Sequence, residues 1–74
     1  MIDMLLSRDL VRFIRQTNRL SQREFADRIG VSNSYIALVE TGIKPVTANL
    51  SKKIAKEFSI DADYIEAAKR FINV

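Results

Sequence analysis

The stretch from Leu20 to Gly42, LSQREFADRIGVSNSYIALVETG, constrains the fold more than any other part of the chain, because it encodes the start and stop of two short helices almost back to back. Ser21 followed three positions later by Glu24 is a capping box, in which each side chain satisfies the other residue's free backbone N–H and opens a helix. Phe25, Ala26 and Ile29 then recur at helical spacing and define one buried face. Gly30 accepts a positive φ without a Cβ penalty, which closes that helix, and Ser32 is placed to cap the next. The second helix, roughly Asn33 to Thr41, buries Ile36 and Val39 and leaves Asn33, Ser34, Tyr35, Ala37 and Leu38 to face elsewhere. A turn this tight does not leave the two rods parallel, so the second helix presents a short polar N-terminal tip outward.

This is the arrangement of a helix-turn-helix, whose second helix enters the major groove of DNA. The residue inventory offers little competition. The chain has no histidine and no cysteine. The usual zinc ligands and the commonest general base near neutral pH are therefore missing, and disulfides are excluded. The two glycines, Gly30 and Gly42, each serve as helix terminators, which leaves no glycine-rich phosphate loop. No enzyme activity, metal, cofactor or small-molecule ligand is expected. A net charge of +3 suits a polyanionic partner but suits an ordinary soluble domain equally well, so it decides nothing alone.

Hydrophobic residues make up 47% of the chain in short periodic groups, none approaching a membrane span of about 20 apolar residues. Met1 to Leu6 carries Asp3 and lacks the basic start and cleavage site of a secretory signal. The expectation is a cytoplasmic protein of one domain spanning residues 1–74, with its core at about 7–60. A core of this size leaves little stability in reserve, and a dimer interface would add to it.

Five helices account for nearly all residues, and no stretch alternates with the period of a strand, so the fold class is all-α. Ser7 caps a first helix running to about Thr17, with Leu10, Val11 and Ile14 inward and Arg8, Arg12 and Arg19 left for solvent or phosphate. Lys44-Pro45 breaks the helical tendency after the motif. Thr47 caps a fourth helix of about Ala48 to Phe58, with Leu50, Ile54 and Phe58 inward. Asp61 and Asp63 mark the start of a fifth, at about 61–72. Its apolar residues, among them Ile65, Phe71 and Ile72, exceed what one stripe requires. The surplus has two readings: a dimer interface, with Met1 to Leu6 as a further contributor, or plain intramolecular packing.

From Leu10 to about Ile65 the chain resembles the Xre/Cro family of lambda-repressor-like helix-turn-helix DNA-binding domains. The matching residues are Arg15, Leu20-Ser21-Gln22, Phe25-Ala26, Ile29-Gly30-Val31-Ser32, Tyr35-Ile36, Glu40, Gly42, Pro45, Leu50, Ile54-Ala55 and Ile60. The resemblance implies a compact five-helix domain with the helix-turn-helix at helices 2 and 3. It places Asn33 and Ser34 where family members touch base edges, and asparagine offers the donor and acceptor that match N6 and N7 of adenine. On residue type alone, both are equally good helix starters. Leu38 departs from the polar or basic residue of many relatives; it would contact a thymine methyl or be an exposed leucine of no consequence.

The resemblance also gives Gln22 as a phosphate clamp that braces the reading helix, and Tyr35 as a ring packed on the sugar-phosphate backbone. Thr41, Lys44 and Arg23 flank the motif as further backbone contacts. Arg15 and Glu40 correspond to a structural ion pair that fixes the angle of the reading helix. Where the family has a residue followed by glycine, this chain has Asn18 and Arg19. Asn18 tolerates the left-handed conformation more cheaply and is expected to adopt it.

The function these readings imply is a sequence-specific, double-stranded-DNA-binding transcriptional regulator, a repressor acting as a homodimer on a partly palindromic operator. Small size without a sensor domain suggests, by family analogy, a phage or mobile-element regulator. The rival is a protein-interaction module, an antitoxin, antirepressor or bridging factor that keeps the fold but turns the motif surface to another protein.

Overall fold

Every helix start marked in the sequence is closed by a side-chain cap in the computed structural model, which describes residues 5–72. The hydroxyls of Ser7, Ser21, Ser32 and Thr47 accept the N–H of Leu10, Glu24, Tyr35 and Leu50, and Asp61 accepts that of Tyr64 at 2.8 Å. These caps open α1 (Arg8–Thr17), α2 (Gln22–Ile29), α3 (Asn33–Glu40), α4 (Ala48–Phe58) and α5 (Ala62–Ile72). The Ser21–Glu24 capping box is reciprocal, with Glu24 accepting the Ser21 N–H at 2.9 Å. Among the described residues there is no strand, and no helix is long and apolar enough to cross a membrane.

The core forms where the apolar stripes meet. Leu10, Val11 and Ile14 from α1, Phe25, Ala26 and Ile29 from α2, and Ile36 and Val39 from α3 are buried together with Leu50 and Ile54 from α4. Stacking of Phe25 on Phe58, with ring centroids 5.2 Å apart, docks α2 onto α4. Arg28 lies over the same Phe58 ring and pairs with Glu57 at 2.8 Å. Leu6 is buried ahead of α1, and its backbone N–H donates to the hydroxyl of Ser51, which is also buried. That contact ties the chain ahead of α1 to α4. Of the segment Met1 to Leu6 read as a further dimer contact, the first four residues lie outside those described; Leu5 is exposed.

The end of α1 corrects one expectation. Asn18 keeps a negative φ of −92°, and Arg19 takes the left-handed conformation at +57°. The hydrogen bonds explain the order: Arg19 N–H reaches Gln16 O and Leu20 N–H reaches Arg15 O, the paired bonds of a Schellman motif whose left-handed position is residue 19. The Asn18 side chain folds back to donate to Ile14 O at 2.7 Å, which its own left-handed turn would forfeit. α5 is the least embedded helix. Ala68 is its buried residue, while Tyr64, Ile65 and Ile72 are half-buried against the core and Phe71 is exposed.

Candidate nucleic-acid interface

Short helices can present a side chain accurately only if their ends are tied down, and α3 is tied at both. At its start Ser32 caps the helix, and Gly30, at φ +76°, lets the chain turn directly from α2. Asn33 and Ser34 follow and are both exposed. Ile36 and Val39 are wholly buried, and Tyr35, Ala37 and Leu38 are half-buried. The helix therefore lies with its apolar side on the core and its polar leading turn at the surface. Leu38, half-buried, keeps part of its apolar side chain open to solvent.

At the trailing end a carboxylate is buried. Glu40 is 3% exposed, and Arg15 grips it with two parallel bonds, Nε to Oε2 at 2.7 Å and Nη2 to Oε1 at 3.0 Å. Gln22 Nε2 donates to Oε1 at 3.2 Å, and Arg12 Nε stands 3.5 Å from the same oxygen. Burial alone would raise the Glu40 pKa, but the hydrogen bonds from Arg15 and Gln22, the Arg15 charge and the bond from Arg12 outweigh it and hold the carboxyl below its ordinary value. One acid thus joins α1, α2 and α3. Arg15 also donates to Leu20 O at 3.0 Å, which fixes the loop between α1 and α2.

Gln22 uses one amide hydrogen on Glu40 and has a second to offer. Arg23 and Lys44 are exposed on either side of α3's neighbours in sequence, at the first turn of α2 and in the loop after α3. The Thr41 hydroxyl is turned back on Ala37 O and Leu38 O, both at 3.1 Å, so a phosphate would reach it only after the hydroxyl rotated. The structure brings Asn33, Ser34 and Tyr35 together on the leading half of α3, and Gln22, Arg15 and Glu40 into one cluster.

Two residues escaped the sequence reading. Arg8 and Arg12 are exposed, as expected, but each also binds a backbone carbonyl: Arg12 Nη2 donates to Glu40 O and Arg8 Nη1 to Thr41 O, each at 3.1 Å. The spacing of Arg8, Arg12 and Arg15 at i, i+4 and i+7 shows that they share one face of a helix, but not which carbonyls they meet.

This geometry agrees with comparison to known proteins, where a helix-turn-helix family profile matches residues 11–65. The chain belongs to the Xre/lambda-repressor-like helix-turn-helix family. Membership implies DNA-binding regulation and makes α2 and α3 the helix-turn-helix pair. Among curated relatives, an uncharacterized HTH-type transcriptional regulator from Mycobacterium tuberculosis strain CDC 1551 / Oshkosh is 36% identical over 55 residues, and one from strain ATCC 25618 / H37Rv matches equally. The match covers 74% of this chain but 39% of either relative. No solved structure is a significant match. The Glu40 cluster lies at the C-terminal end of α3, the second helix of the helix-turn-helix pair.

Proposed function

We propose that the chain is a sequence-specific reader of double-stranded DNA and acts as a transcriptional repressor, as a homodimer on a partly palindromic operator in the cytoplasm. The observation that supports this best is the exposed polar tip of α3, Asn33 and Ser34, on a helix otherwise locked into the core. A rigid rod with a free polar end suits a groove that offers hydrogen-bonding base edges. Asn33 and Ser34 read bases, with the outward edge of Leu38 against a thymine methyl. Gln22, through its remaining amide hydrogen, and Arg23, Tyr35, Lys44 and a rotated Thr41 hydroxyl set the helix against phosphates.

Selection from a pool of random duplexes tests the reading. A DNA reader enriches a defined motif and binds it less tightly as salt rises; recovery of no motif, with a tight protein partner instead, would favour an interaction module. Asn33→Ala is expected to relax selectivity at one or two base positions, with about 1–3 kcal/mol of discrimination lost and thermal stability unchanged. Equal weakening at every sequence would assign Asn33 to the backbone.

A further inference from the structure

The last turn of α3 carries no basic residue, so the negative end of its dipole has to be met by other elements. Its terminal carbonyls can be followed one by one. Ala37 O accepts the Thr41 N–H and hydroxyl, Leu38 O accepts the N–H groups of Ile43 and Lys44, and Val39 O accepts that of Gly42. Glu40 O and Thr41 O remain. Each is met by an arginine of α1, Arg12 and Arg8 respectively, from 28 and 33 residues away in sequence. Gly42 sits at φ +84°, which favours glycine there, and a methyl group would push the Arg8 guanidinium out of its place.

We infer that Arg8 and Arg12 are positioning residues for base recognition, which fix the trailing end of α3 and hence the angle at which its tip meets DNA, without touching DNA themselves. The inference rests on the DNA-reading function proposed above. A helix of 8 residues is about 12 Å long, so a swing of about 10° at the anchored end moves the tip by about 2 Å. A displacement of that size breaks a direct hydrogen bond to a base edge, whereas a phosphate contact through a long cation tolerates it. The two arginines therefore act on selectivity more than on general affinity.

The test uses Arg8→Ala, Arg12→Ala and the double variant. Arg8 lies at an exposed site and its removal leaves every partner of the Glu40 carboxylate in place, so that variant folds even if loss of Arg12 disturbs the cluster. In protein without DNA, amide hydrogen exchange at Thr41, Gly42, Ile43 and Lys44 is expected to quicken by about tenfold, with α4 unchanged. Unchanged exchange at those amides overturns the inference whether or not the chain binds DNA. With the selected duplex, the ratio of specific to random-sequence affinity is expected to fall by about tenfold while the slope of log K against log salt stays the same. A slope reduced by about 0.9 for each arginine removed, with the ratio intact, would make them phosphate contacts and overturn it too. Wild-type protein that binds no DNA would sink the proposed function and the base-recognition role with it, whereas slow exchange lost in the variants would still show that the arginines anchor the end of α3.

Discussion

Glu40 shows how much of the site depends on a single side chain. Its carboxylate is buried where an unpaired charge would be untenable, and it persists because Arg15 and Gln22 hydrogen-bond to it directly, with Arg12 alongside. Glu40→Gln keeps the shape but leaves the Arg15 charge unmatched in a half-buried position. We expect it to lower stability by about 2–3 kcal/mol at neutral pH, less than for a fully buried pair because Arg12 is half open to solvent. The pH dependence has a definite sign. Since the folded pKa of Glu40 lies below its ordinary value, its contribution is present above about pH 4.5 and is lost as pH falls through the folded value. Glu24 behaves alike, held low by the backbone N–H and hydroxyl of Ser21. Denaturant unfolding from pH 7 downward should thus show a steep acid loss in the wild type and a shallower one in Glu40→Gln. Parallel curves would mean that the cluster does not carry the titration.

The helices were legible at their starts and less so at their ends, for a physical reason. A cap is local chemistry, a hydroxyl or carboxylate three residues before the N–H it accepts, so Ser7, Ser21, Ser32 and Thr47 could be read directly from the sequence. A stop is a backbone conformation, visible only where glycine advertises it. α2 and α3 stop at Gly30 and Gly42, but α1 and α4 stop at Arg19 and Ser59, both left-handed at φ +57° and +54°. Nothing in their side chains announces it. Ile60 N–H reaches Ala55 O at 2.9 Å, the same six-to-one bond seen after Arg19. Arg19→Gly and Ser59→Gly should each relieve the left-handed strain, raising stability by about 0.5–1 kcal/mol net of the entropy that glycine adds to the unfolded chain. Thermal unfolding checks this, and a lower midpoint would show that the side chains contribute more than the strain removes. The Arg8 and Arg12 bonds and the buried Ser51 were hidden for a different reason: they join residues far apart in sequence, and no local pattern encodes a partner 28 to 45 positions away.

A palindromic operator requires two reading helices held about 34 Å apart, and α5 supplies the surface we assign to that pairing. Its apolar residues divide between two duties. Ile65 and Ile72 are half-buried against the core, and Tyr64 meets Phe13 edge-on, so these side chains are partly spent inside the monomer. Phe71 is 72% exposed, stacked on Phe13 with centroids 6.0 Å apart. A dimer contact through α5, as we propose, would centre on Phe71, with the outer edges of Ile65 and Ile72 beside it. Phe71→Glu should cost the monomer no more than about 1.5 kcal/mol, the worth of the aromatic stack. Burying Phe71 against a second copy would contribute about 1.5–3 kcal/mol, so its loss should weaken self-association by about tenfold or more in sedimentation equilibrium. Operator binding should then fail at dilute protein and recover at high concentration, because the reading tips themselves are untouched. If the variant keeps the wild-type dimer mass, the contact lies elsewhere, and the surplus apolar surface of α5 serves only the fold.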